Sequence, residues 1–167
     1  MSRDSEKKCI VIGAGDLTVG TVQVQEEDLV IAVDGGLSYC SLLEVEPDIL
    51  IGDFDSVSEK EREAVEELAN QIPDRVIRLE REKDDTDMLA ALKLGMEWGY
   101  RSFRIYGGTG GKRLDHTVAN FQVLQFLALR NARGYLIGKD HIATVVRNGA
   151  LEFPAEATGI LSLFCLG

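Results

Sequence analysis

The sequence predicts an α/β fold, a mainly parallel sheet flanked by helices, and three observations carry that expectation. Short apolar runs recur along the chain, helical stretches separate several of them, and glycines or acids follow most of the runs. Strands alternating with helices of this length favour βα repeats, because a parallel pair needs a long crossover to bring the chain back to the same sheet end.

The elements follow in order. "CIVIG" (9–13) reads as a first buried strand and "LVIAVDGG" (29–36) as a second. "DILIGD" (48–53), "RVIRLE" (75–80), "SFRIYGG" (102–108) and "GYLIG" (134–138) supply four more. Val65, Leu68, Ala69 and Ile72 recur at i, i+3, i+4 and i+7, the period of a helix with one apolar face. Met88, Leu89, Leu92 and Met96 come close to that spacing, and Trp98-Gly99 closes the segment. Residues 118–129 are apolar nearly all round, which predicts a helix buried on most sides. Residues 1–140 therefore read as one Rossmann-like α/β domain. From 141 to 167 strand-like runs and an Asn148-Gly149 turn replace the helical period, as if a separate antiparallel β unit began there.

Composition narrows the function classes. At 167 residues the chain has room for one proper core. A net charge of −10 argues against phosphate-backbone recognition, which needs a basic face, so no nucleic-acid partner is expected. Cys9, Cys40 and Cys165 form no CxxC pair and read as reduced thiols. The first eight residues are polar and charged, and no apolar run approaches the roughly 18 residues of a membrane span. A cytoplasmic protein without a membrane partner is the expectation.

Ligands of open α/β sheets bind beyond the carboxyl ends of the strands, so the residues after each run hold the chemistry. The second run ends in Asp34-Gly35-Gly36, the third in Asp53-Phe54-Asp55-Ser56. Lys83, Asp84, Asp85, Thr86 and Asp87 follow the fourth, and "GGTGGKRLDH" (107–116) follows the fifth. Two like charges about 4 Å apart repel by roughly 4 kcal/mol at an effective dielectric near 20, so Asp53 and Asp55 call for a cation. Their spacing of two lets both point to one side of an extended strand end. Asp84 and Asp87, three apart at a helix start, would share a face. Together these acids offer hard oxygens of the kind Mg²⁺ takes. Asp84, Asp85 or Thr86 serving only as a helix N-cap, and Asp34-Gly35-Gly36 only as a tight turn, are the structural alternatives. In the last motif, glycines let backbone N–H groups approach an anion, and Lys112 or Arg113 can neutralise phosphate. It is not a Walker A loop, since Tyr106 stands where a glycine is needed and Arg113 replaces Ser or Thr. His116 is open to a plain helix-face role.

Taken in order, Asp34-Gly35-Gly36, "PDILIGDFDS", Lys83-Asp84-x-Thr86-Asp87 and "GGTGGKRLDHTVAN" resemble the thiamin pyrophosphokinase family, over roughly residues 9–167. The resemblance implies transfer of a pyrophosphoryl group from ATP to thiamin, giving thiamin diphosphate and AMP, with Mg²⁺ held by Asp53, Asp55 and Asp87. It puts Arg113 and Asp115 among the catalytic residues. Asp34, Gly35, Gly36, Ser56, Lys83, Asp84, Thr86, Gly110, Gly111, Lys112 and His116 are assigned to substrate binding. It also implies a homodimer, and a second domain, a β-sandwich, of which 141–167 would be the first strands of a truncated copy. Lys112 is an extra residue before Arg113, Ser38 stands where eukaryotic members have Asn, and Lys83 looks like the bacterial form. Two rival readings are a nucleotide- or metal-binding module without turnover and a phosphatase with an aspartyl nucleophile. The latter normally carries its acid pair on the first strand, whereas here the pair follows the third.

Overall fold

The computed structural model describes residues 7–17, 20–55, 57–80, 84–110 and 114–165. Its strands are β1 (Cys9–Ile12), β2 (Leu29–Val33), β3 (Ile49–Gly52), β4 (Val76–Arg78), β5 (Ser102–Tyr106), β6 (Arg133–Ile137) and β7 (Ile142–Thr144). They form one sheet in the order β4-β3-β2-β1-β5-β6-β7. Every pair from β4 to β6 is parallel, and β7 pairs antiparallel with β6 through Tyr135–Thr144, Leu136–Ala143 and Ile137–Ile142. The mainly parallel α/β architecture expected from the sequence is the one found. Strand order reverses between β1 and β5, so their carboxyl ends frame a topological switch point.

Both faces of the central strands are buried, which is why they read as unbroken apolar runs rather than as alternating ones. Cys9, Val11, Ile31, Val33 and Ile51 point to one face, where α3 (Asp87–Glu97) and α4 (Leu114–Leu129) add Met88, Leu92, Val123, Leu124 and Leu127. Ile10, Ile12, Val30, Ala32 and Leu50 point to the other, against Cys40 of α1 (Gly36–Leu42) and Val65 of α2 (Glu59–Gln71). Burial pushes both core thiols up, that of Cys40 to about 11, so neither is a ready nucleophile.

Three elements differ from the sequence reading. Helix α1 escaped it because in seven residues it buries only Gly36 and Cys40. Strand β4 is three residues long and only partly buried, as suits an edge strand. Helix α4 is not buried on most sides. It lays Asn120, Val123, Leu124 and Leu127 on the sheet, and leaves Leu114, Val118 and Leu129 more than half exposed. After Thr144 the described residues contain no further strand, and Ile160, Leu163 and Phe164 are exposed.

Helix α2 opens on a capping box. Ser58 Oγ accepts from the Glu61 N–H, and the Glu61 carboxylate accepts from the Ser58 N–H at 2.7 Å and the Ser58 hydroxyl at 2.6 Å. The hydroxyl bond chiefly holds the Glu61 carboxyl below its ordinary 4.5, with burial opposing slightly. A depressed carboxyl adds stability above the unfolded value, which is lost as pH falls through the lower folded value. Ser58→Ala is therefore expected to cost about 1 kcal/mol at pH 7. Thermal melts should show the gap from the parent narrowing on acidification below the ordinary Glu range. Equal melting temperatures at pH 7 would mean that the box contributes nothing.

Candidate active site

The site builds up from the strand ends. Strand β2 stops at Val33, and Asp34 turns the chain with φ +49 while its N–H donates to the Ile51 carbonyl of the neighbouring strand at 3.1 Å. Gly35 is the N-cap of α1 and Gly36 its first residue. The Asp34 carboxylate lies directly over Gly52, the last residue of β3. A Cβ on Gly52 would stand 1.9 Å from Asp34 Oδ1, an oxygen buried from solvent. Only a glycine lets the two strand ends close in this way.

Asp53 and Asp55 reach one side by a different route from the extended strand end that their spacing suggested. The strand ends at Gly52, and Phe54 has φ +54 with its ring buried in the core. The Asp55 N–H donates to Asp53 Oδ1 at 3.1 Å, an Asx-type turn. A turn anchored by Phe54, rather than the pleat, sets the pair.

Thr86 is the N-cap of α3, its Oγ1 accepting from the Leu89 N–H at 3.2 Å. The helix begins at Asp87, so Asp84 lies outside it and the shared-face argument does not apply. Asp85 forms an ion pair with Lys93. Asp87 keeps a buried Oδ1, and Met88 beside it packs against Gly13 at the end of β1. This puts the start of α3 at the same sheet end as Asp34.

Across the switch point, the turn after β1 is zipped to the glycine loop after β5. Gly13 N–H donates to the Tyr106 carbonyl at 2.8 Å, Gly15 to Gly107 at 2.7 Å and Asp16 to Thr109 at 2.9 Å. Buried Asn120 of α4 fixes the loop from behind, donating to the Gly108 carbonyl at 2.6 Å. The Asp16 carboxylate rests against Gly110. Sequence reading gave neither Asp16 nor Asn120 a role in the site. The signal for Asn120 was a lone polar residue on the buried face of an apolar helix. Asp115 and His116 lie exposed in the first turn of α4. Ser56, Lys83, Gly111, Lys112 and Arg113 lie outside the described residues.

Among the described residues, no three His, Cys, Asp or Glu side chains converge as a metal cluster. The acids that follow β2 and β3, Asp34, Asp53 and Asp55, nonetheless supply carboxylate oxygens, of which Asp34 Oδ1 is buried. That set suits a hard cation such as Mg²⁺. A cavity of about 430 Å³ opens beside Asp53 and Asp55 towards α2 and β4. Another, of about 280 Å³ and lined by Ala128, Asn131, Arg133 and Thr144 among others, lies at the amino-terminal end of β6, away from the strand-end site.

Acids after two adjacent parallel strands, another at the start of α3, and a glycine loop across a switch point mark the ligand-bearing end of a doubly wound α/β domain. The chain belongs to the thiamin pyrophosphokinase family. The family model described as thiamin pyrophosphokinase, catalytic domain, matches residues 22–136. A thiamine pyrophosphokinase of Bacillus subtilis is 34% identical over 121 residues, 72% of this chain and 54% of the relative. The crystal structure of thiamine pyrophosphokinase from Bacillus subtilis superposes with a TM-score of 0.65 at 30% identity, over 80% of this chain and 61% of that one. That from Geobacillus thermodenitrificans gives 0.58 at 31% identity, over 76% and 58%. The chain thus spans about half the length of the curated relative it matches.

Proposed function

We propose that this chain carries the ATP- and Mg²⁺-binding part of a thiamin pyrophosphokinase, an enzyme that moves a pyrophosphoryl group from ATP to the hydroxyethyl oxygen of thiamin, giving thiamin diphosphate and AMP. The observation that carries the reading is the alignment of acids along the carboxyl ends of β2 and β3, with a glycine loop held across the switch point. Reactions of this type need positioning and charge neutralisation more than a protein nucleophile. The buried state of both core thiols agrees with that.

Asp53, Asp55 and Asp87 would hold Mg²⁺, which supplies positive charge for phosphate oxygens. Asp34 would border the same ion, and Asp84 would support it from outside the helix. The glycine loop presents backbone N–H groups to an anion, braced by Asn120, and Lys112 and Arg113 bring two cations to it by sequence. A homodimer and a cytoplasmic location belong to the same proposal. Among the described residues, no helix is long and apolar enough to cross a membrane.

The test is product analysis after incubation with thiamin, ATP and Mg²⁺. Thiamin diphosphate appearing with equimolar AMP is the expected result. Thiamin monophosphate with ADP would exclude transfer of an intact pyrophosphoryl group, and no thiamin product at all would exclude catalysis by this chain.

A further inference from the structure

Beside the acid pair, the cavity of about 430 Å³ is lined by Asp53, Phe54, Asp55, Arg62, Val65, Glu66 and Arg78. Its size falls in the range of about 300–1,000 Å³ typical of small-ligand sites. One wall is acidic, the other cationic. Arg62 and Glu66 sit one turn apart on α2, and Arg78 is the last residue of β4. Arg78 pairs with Glu66 at 2.8 Å, and its guanidinium lies over the Phe54 ring at 5.8 Å. Phe54 thus links the two walls, its backbone setting the acid turn and its ring lying under the arginine. With Glu66 offsetting one arginine, the α2–β4 wall keeps a net positive charge. The arginine wall by itself suits an anion rather than a cation. It is right for an anion whose other side reaches the carboxylates through a divalent cation.

We propose that Arg62 and Arg78 form a diphosphate subsite on the β4 side of the acid pair, recognising a phosphoanhydride group. The proposal rests on the reading that Asp53 and Asp55 hold Mg²⁺. Guanidinium forks match phosphate oxygens in bidentate geometry, and two of them facing one cavity select a multiply charged anion over a single carboxylate. The glycine loop of β5 lies three strand spacings from β3, about 14 Å away. The Arg62–Arg78 pole therefore lies on the opposite side of the acids from that loop. The diphosphate sits at the Arg62–Arg78 pole, and two sources can supply it: the end of a nucleoside triphosphate, or the diphosphate of a product.

Calorimetric titration of the whole chain in Mg²⁺ tests this with three probes: inorganic pyrophosphate, ATP and AMP. Arg62→Gln and Arg78→Gln are each expected to raise Kd for pyrophosphate about tenfold and to leave AMP binding unchanged. An equal loss for ATP assigns the subsite to the nucleotide, and a loss for pyrophosphate alone assigns it to a product diphosphate. Glu66→Gln is the discriminating variant. Removing that acid should tighten pyrophosphate binding several-fold, an effect that a purely structural Arg78–Glu66 pair would not produce. Arg62→Gln, on an exposed helix face, decides the matter if Arg78→Gln misfolds. Unchanged pyrophosphate affinity in Arg62→Gln, with binding abolished in Asp53→Asn, would overturn the subsite and leave the proposed function standing. Weakened pyrophosphate binding in a chain that makes no thiamin product would do the reverse.

Discussion

Asp53→Asn is expected to abolish Mg²⁺-dependent ATP binding and to cut any pyrophosphoryl transfer by about 10³-fold, the scale seen when one preorganised electrostatic group is lost. The substitution is a clean one. Asn keeps the size of the side chain and an oxygen that can accept from the Asp55 N–H, so the turn that now closes at 3.1 Å should survive. What disappears is one negative charge at a point where Asp53 and Asp55 stand two residues apart. The melting temperature should hold or rise, since like-charge repulsion of a few kcal/mol at most is relieved. Raising Mg²⁺ should restore part of the ATP affinity, because the defect lies in holding the ion. Removing the metal from the parent protein with a chelator should reproduce the variant's loss. ATP affinity equal to the parent's at limiting Mg²⁺ would show that the pair does not serve a metal, and the two arginines of the neighbouring cavity would then be the groups that tolerate it.

Much of this site was legible because the sheet is parallel and buried on both faces. Such strands read as continuous apolar runs, and a run that stops at Asp34 or Asp53 marks the end of its strand. What the sequence could not supply was the geometry past those stops. Phe54 gave no sign that it takes a left-handed backbone, yet that residue places Asp55 beside Asp53. Thr86 was one of three candidates for the α3 cap, and only the hydrogen bond from Leu89 decides among them and leaves Asp84 outside the helix. Arg62 and Arg78 are unremarkable charges in the sequence. They line one cavity because α2 packs back over the edge strand β4, a tertiary event with no periodic signature. Helix α4 shows the opposite failure. Its apolar residues run all round, but the sheet covers only one side, so composition overstated its burial.

Gly36→Ala is expected to destabilise the fold by about 3 kcal/mol, at the upper end of the usual cost of overpacking a buried position. Helix propensity alone points the other way, favouring alanine by up to about 1 kcal/mol. Geometry decides against it. A Cβ at this first residue of α1 would stand 2.0 Å from the Ile12 carbonyl oxygen and 2.8 Å from its carbon. Those atoms belong to β1, which is held on both sides, by β2 through Ile12–Ala32 and by β5 through Ile12–Tyr106. The strand cannot give way, so α1 must lift, and Cys40 loses its buried contact with the sheet. Lifting α1 also drags Asp34, two residues upstream, off Gly52. Stability and Mg²⁺-dependent ATP affinity should therefore fall together, an association that Asp53→Asn lacks. Gly20→Ala is the control, since nothing lies within 4 Å of its Cβ position, and its effect should stay within about 0.5 kcal/mol. Denaturant melts of the two variants measure the difference directly. A Gly36→Ala protein as stable as its parent would mean that α1 does not rest on β1, and the close packing that brings Asp34 to the strand end would have to be abandoned with it.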